Sequence, residues 1–146
     1  VRPPWSQPSL EIKGIETRRD RMLVPIVLDG AKGMAILDTG AQATTVGMSM
    51  ASRLGLTEPL LQNDRVIMAH GAAPRALAVH VHRFHELQVG DGRVESPSLA
   101  VVPGETAMGD ALLGGDFLRG RRVWLSFATR RLFISFDQGA TLATLR

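Results

Sequence analysis

Apolar positions in this chain fall in short runs and alternations broken by Gly, Pro and Asp, the spacing of strands and not of long helices. Leu10, Ile12 and Ile15 open the pattern, and Met22 to Leu28 continue it. Asp29-Gly30-Ala31-Lys32-Gly33 supplies turn chemistry before Met34 to Leu37, which deliver the chain to Asp38. Thr44-Thr45-Val46 is β-branched, and Met48 to Leu54 is rich in helix formers with Gly55 as C-cap, so one short helix is predicted there. Val66 to Ala69 and Arg75 to Val81 flank His70-Gly71-Ala72-Ala73-Pro74, the composition of a hairpin tip. Leu87 and Val89 lead into the turn Gly90-Asp91-Gly92, and Leu99 to Val102 form a strand that Pro103-Gly104 ends. After Glu105 to Gly109, the segment Ala111 to Leu118 reads as a short helix. Val123 to Phe127 and Leu132 to Phe136, joined by Ala128-Thr129-Arg130-Arg131, read as a closing hairpin. The sum is an all-β domain, an antiparallel sheet with one or two short helices.

No period of 20 to 50 residues recurs. One internal echo is present: Ala35-Ile36-Leu37-Asp38-Thr39-Gly40 and Ala111-Leu112-Leu113-Gly114-Gly115-Asp116 both run an apolar strand end into a glycine turn.

With 146 residues the chain is sized for one domain. Residues 1–9 hold three prolines and read as a linker or N-terminal extension, leaving 10–146 as the domain. The longest apolar run, Met22 to Leu28, is interrupted by Pro25 and falls far short of the roughly 20 residues of a membrane span. The net charge of +3 comes from mixed signs, so a nucleic-acid partner is disfavoured. The absence of cysteine excludes disulfides and thiolate chemistry. A start at Val1 is the expectation for an excised domain or a processed product, and a periplasmic or membrane-tethered location is favoured over the cytoplasm.

Asp38 follows three apolar residues and precedes Thr39-Gly40-Ala41, which puts a carboxylate at the end of a buried strand where the chain turns. A carboxylate there is costly unless hydrogen-bonded. Gly40 lets backbone amides approach it, and the Thr39 hydroxyl can tie the turn to a neighbour. The tripeptide alone is equally compatible with an ordinary hydrogen-bonded bend.

Ala35-Ile36-Leu37-Asp38-Thr39-Gly40-Ala41 followed by Thr45-Val46 resembles the active-site segment of retropepsin-type aspartic proteases. The hairpin tip at Ala69-His70-Gly71 stands where that family carries its flap. Leu112-Leu113-Gly114 resembles its second apolar-apolar-Gly motif, and Gly115-Asp116-Phe117-Leu118 the short helix of bacterial and gag-like members. Order and spacing match from about Leu10 to Phe136. Two departures touch substrate preference: Gln42 and Ala43 stand where retroviral members carry acids, and His70 where bacterial relatives often have Asn. The resemblance implies a retropepsin-like half-barrel acting as an aspartic endopeptidase on an extended polypeptide, with no cofactor. Asp38, Thr39 and Gly40 would form the catalytic turn. Ala41 would border the substrate, with Ala69, His70, Gly71 and Ala72 closing over it.

That chemistry needs two carboxylates sharing one proton, and the chain holds one Asp-Thr-Gly. A homodimer with isologous contact supplies the second Asp38. Asp116 is the rival second acid, but its place at the start of a short helix favours a capping role. His80 and His82 share a strand face at a spacing that some zinc sites use, with an exposed face as the plainer reading. Arg119-Gly120-Arg121-Arg122 and Arg130-Arg131 read as a solvated hairpin end, and Trp124 and Phe127 as core or dimer-edge residues. A non-catalytic retropepsin-like module for dimerisation or peptide binding is the alternative function, since fold alone does not establish activity.

Overall fold

A computed structural model of the chain describes residues 2–6, 9–69, 74–103 and 109–135. The alternating positions become strands β1 (Ser9–Lys13), β2 (Glu16–Arg18), β3 (Arg21–Leu28), β4 (Ala31–Leu37) and β5 (Thr45–Gly47). Helices α1 (Met48–Arg53) and α2 (Glu58–Leu61) follow, then β6 (Arg65–Ala69), β7 (Leu77–Arg83), β8 (Glu86–Val89), β9 (Gly92–Glu95) and β10 (Ser98–Val102). The chain continues through β11 (Ala111–Leu113), α3 (Gly115–Leu118), β12 (Val123–Ser126) and β13 (Arg131–Ser135). The fold is thus mostly β, as the sequence pattern implies. No described helix is long and apolar enough to cross a membrane.

The strands form a small sheet, ordered β1-β13-β12, and a large one, ordered β6-β7-β10-β5-β11-β4-β3-β8-β9 with β2 on β3. The antiparallel expectation needs correction at two places. β10 runs parallel to β5, and β11 parallel to β4. Both follow from how the chain returns to the sheet: long excursions separate these strands, and only adjacent strands joined by a tight turn must be antiparallel. The sequence echo has a structural counterpart in the second pair, where Ala111, Leu112 and Leu113 lie beside Ala35, Ile36 and Leu37.

Three local expectations also shift. Strand β4 begins at Ala31, so the turn contracts to Asp29-Gly30, whose backbones take φ of 47° and 83°. Segment Ala111 to Leu118 splits into a strand and a helical turn, because Gly114 is extended and interrupts any helix. The helix α2 was not foreseen; four residues offer too short a window for a periodic signal, although Pro59 early in the helix is a start marker.

One core serves both sheets. Leu10, Ile12, Leu132 and Ile134 from the small sheet join Val24, Ile26, Leu28, Leu87, Val89, Val46, Leu113 and Phe117, all buried. Strand alternation sorts the large sheet into two faces. The row Val24, Ala35, Ala111, Val46 and Val101, in register across five strands, is buried and faces that core. The next row, Leu23, Ile36, Leu112, Thr45, Ala100 and Val81, faces the other way and is less completely covered.

Candidate active site

Asp38 lies two residues beyond Ile36, so it continues the face on which Leu23, Ile36, Leu112, Thr45 and Ala100 stand. Its backbone N–H donates to the Leu113 carbonyl at 3.0 Å, which prolongs the parallel pairing by one residue and fixes where the acid leaves the sheet. The side chain is half-buried, and its Oδ1 accepts the Gly40 N–H at 2.9 Å. The Ala41 N–H closes the turn on the Asp38 carbonyl at 3.4 Å. Asp38, Thr39, Gly40 and Ala41 therefore form one tight turn at the end of β4, with a carboxylate held beside an apolar row. Thr39 and Gly40 are exposed at its tip.

A second loop is locked against this turn. The Gly115 N–H donates to the Ala41 carbonyl at 2.7 Å and the Asp116 N–H to the Gln42 carbonyl at 3.0 Å. Gly114 permits the approach: a Cβ there would lie 2.5 Å from the Ala43 carbonyl oxygen, a backbone atom that cannot step aside. Burial of Thr44 completes the lock. Its hydroxyl donates to Asp116 Oδ1 at 2.7 Å and accepts the Gly114 N–H at 3.1 Å, while its own N–H donates to the Asp116 carboxylate at 2.9 Å.

Asp116 is consequently not the N-cap of α3, and its carboxylate is engaged by Thr44. Gly114 occupies the N-cap position of α3 without a side-chain bond, and the Asp116 carboxylate reaches across to Thr44 as well as to the Phe117 N–H at 2.7 Å. The capping expectation fails because the acid sits inside the first turn, where the adjacent loop offers it a hydroxyl and an amide. The sequence marks Thr44 only as part of a β-branched run. A β-branched hydroxyl six residues after the Asp was the available signal, but its partner lies 72 residues away.

The hairpin of β6 and β7 borders the same sheet, with Ala69 opposite Leu77 at its outer end. His70, Gly71 and Ala72 lie outside the described residues. Ile67 and Leu77 are exposed on this hairpin. The histidine face is not the open surface expected of it. His80 stands in the core-facing row between Val66 and Val101 and lines a cavity of about 240 Å³ with Met48, Leu61, Ala78 and Pro103. His82 Nδ1 lies 2.6 Å from Asp64 Oδ2, and its ring meets Phe84 edge-on. The two imidazoles are thus occupied separately, and no group of three metal-ligating side chains occurs among the described residues.

Asp110 is another residue that the sequence did not point to. Its Oδ2 accepts the Met34 N–H and its Oδ1 the Arg53 guanidinium, both at 2.9 Å, which pins α1 to the middle of β4, ahead of Asp38.

The fold recurs in known proteins. No curated protein sequence matches the chain. Its fold is similar to a retropepsin-like aspartic protease from Rickettsia conorii, with a TM-score of 0.64 and 17% identity over 92% of this chain and 97% of that one. It is also similar to the retroviral protease-like domain of Ddi1 from Leishmania major, with a TM-score of 0.53 and 18% identity over 79% and 92%. A family model described as aspartyl protease matches residues 24–117, a stretch that runs from β3 through the Asp38 turn to the helix bracing it. That match spans well over half of the sequence, and with the retropepsin-like fold around a braced Asp-Thr-Gly turn the chain belongs to the aspartyl protease family.

Proposed function

We propose that the protein is an aspartic endopeptidase whose catalytic dyad is made by Asp38 of two subunits. The observation that carries this reading is the division of labour between its two candidate acids: Asp38 stands at the end of an apolar row with its carboxylate bound only lightly to its own turn, whereas Asp116 is consumed in holding Thr44. One subunit then contributes one reactive carboxylate, and a two-fold axis beside the turn contributes the other.

Two carboxylates at hydrogen-bond distance cannot both ionise in a water-poor cleft, so the pair holds one proton. The ionised member takes a proton from the attacking water, while the protonated one donates a hydrogen bond to the scissile carbonyl and polarises it. The Gly40 N–H on Asp38 Oδ1 and the Asp38 N–H on Leu113 keep each carboxylate oriented without neutralising it. Thr39 and Gly40 brace the turn, and Ala41 borders the peptide.

The substrate is an extended polypeptide. Leu23, Ile36, Leu112 and Ala100, with Thr45 among them, give it a mostly apolar wall beside the acid, and the β6–β7 hairpin serves as its flap; Ala69 and, outside the described residues, His70, Gly71 and Ala72 are assigned to substrate contact. Closure excludes water and adds backbone hydrogen bonds.

The test is cleavage of an unfolded polypeptide across a dilution series with sedimentation at each point. Specific activity should fall as the dimer dissociates. Constant activity at concentrations where only monomer sediments would contradict the shared dyad. A dimer that binds peptides without cutting them would instead mark a binding module.

A further inference from the structure

The face of the large sheet opposite Asp38 carries a cavity of its own. Val101 on β10 and His80 on β7 continue the row of Ala35, Ala111 and Val46, so they stand on the face away from the one that Asp38 extends. There His80 lines a cavity of about 240 Å³. Its apolar walls are Met48 at the start of α1, Leu61 of α2, Ala78, Val101 and Pro103. An apolar cavity of about 150 Å³ is enough for benzene, and whole drug-sized ligands need roughly 300–1,000 Å³. The space therefore suits one ring-bearing side chain.

The polar groups narrow what enters. His80 makes no hydrogen bond to a described residue, and its Nδ1 is buried. A neutral imidazole offers one donor and one acceptor, and a polar group closed off from water without a partner is costly. A hydroxyl satisfies either ring nitrogen, because it both donates and accepts. Glu58 of α2 and Gln62 just past it complete the lining, both exposed. The Glu58 charge disfavours a carboxylate or phosphate at this site. An uncharged ring with a hydroxyl is a phenol, and the Met48 thioether is a wall that attracts ring edges.

The rim favours a phenol carried on a polypeptide. Val66 and Met68 of β6 stand in register with His80 and Ala78 on the same face, and they are 52% and 57% exposed. β6 also ends the large sheet, and no described strand pairs with its outer side. Exposed apolar side chains and open backbone groups beside the cavity suit an extended chain and add nothing for a free phenol.

We infer that the cavity behind the β6–β7 hairpin is a binding pocket for one tyrosine side chain of a polypeptide that lies against β6, with the phenol hydroxyl on His80. This is a binding site separate from the Asp38 turn, and it stands whether or not the dyad forms. A second cavity, of about 490 Å³ between residues 2–6 and the small sheet, lacks the same opening for a ligand. Its Trp5 Nε1 already donates to Ser9 Oγ at 2.6 Å, and its Glu11 is paired with Arg131 at 2.8 Å.

The experiment titrates the full chain carrying Asp38→Asn, so that peptides stay uncut, with a short uncharged peptide bearing one Tyr, with its Phe and Lys counterparts and with p-cresol. The protein contains no tyrosine, so tyrosine ring resonances report the peptide alone. Nuclear Overhauser contacts from that ring to the Met48 methyl are expected. Affinity for the Tyr peptide should exceed that for the Phe peptide about five- to tenfold, the worth of one hydrogen bond. His80→Leu should erase this preference, and Ala78→Leu, which fills the cavity, should abolish binding of both peptides; thermal unfolding establishes that each variant folds. Equal affinity for Tyr and Phe in the parent would overturn the inference, as would p-cresol binding as tightly as the Tyr peptide. A preference for the Lys peptide that Glu58→Gln removes would give the pocket to a cation instead. Binding that survives Ala78→Leu without contact to Met48 would overturn the pocket while leaving the dyad reading untouched.

Discussion

Thr44 and Asp116 hold each other through both backbone and side chain, the Thr44 N–H lying 2.9 and 3.0 Å from the two carboxylate oxygens and the hydroxyl 2.7 Å from one of them. The pair joins the loop after Asp38 to helix α3, which follows β11. Removing the acid strips a buried amide and a buried hydroxyl of their acceptor. Asp116→Ala should therefore cost about 1–3 kcal/mol, and Asp116→Asn, which keeps size and one acceptor, should cost less. Urea unfolding of the three proteins measures this, and an Ala variant as stable as the parent would show that the bonds contribute little.

Gly114→Ala tests the close approach on the same loop. Its Cβ would lie 2.5 Å from the Ala43 carbonyl oxygen, whereas Gly115→Ala would meet the Ala41 oxygen at 3.2 Å. The expected loss is roughly 1–3 kcal/mol for Gly114→Ala and less for Gly115→Ala. Thermal unfolding gives the order, and the reverse order would contradict this packing.

Asp38→Asn keeps an oxygen for the Gly40 N–H but removes the carboxylate on which the proposed dyad depends. Cleavage should fall by about 10²–10⁴-fold or more, with sedimentation and unfolding unchanged. Undiminished cleavage by the purified variant would remove Asp38 from the chemistry.

His80 and His82, adjacent on one face of β7, should respond differently. His82→Ala loses a contact with Asp64 and should cost about 0.5–1.5 kcal/mol. His80 Nδ1 is buried and meets no hydrogen-bond partner among the described residues, so His80→Ala forfeits no bond at that nitrogen and should cost less. Equal effects in urea unfolding would show that the Asp64 contact adds nothing.

On the proposed dyad, a shared proton should make cleavage rise and then fall with pH, with both limbs belonging to the pair and not to either Asp38. The profile should be bell-shaped at constant dimer content, checked by sedimentation at each pH, since dissociation would imitate a limb. Activity climbing steadily to the alkaline end while the dimer persists would mean that another group is the base.

The sequence by itself determined most of the strands and the Asp-Thr-Gly turn, because both are local. Alternation specifies which face of β1 or β8 is buried, and Asp-Thr-Gly after three apolar residues places a carboxylate at a strand end whatever the remainder does. The Leu112-Leu113-Gly114 echo was legible for the same reason, although its meaning, a strand lying parallel beside β4, was not. Tertiary structure decided what depends on partners distant in sequence. Asp116 looks like a cap until Thr44, 72 residues away, claims its carboxylate, and Asp110 is unremarkable until it meets Met34 and Arg53. His80 and His82 read as one face, yet packing gave one a cavity and the other an acid. Parallel strand pairs and side-chain hydrogen bonds carry no period along the chain, because they are set by which surfaces the collapsed core brings together.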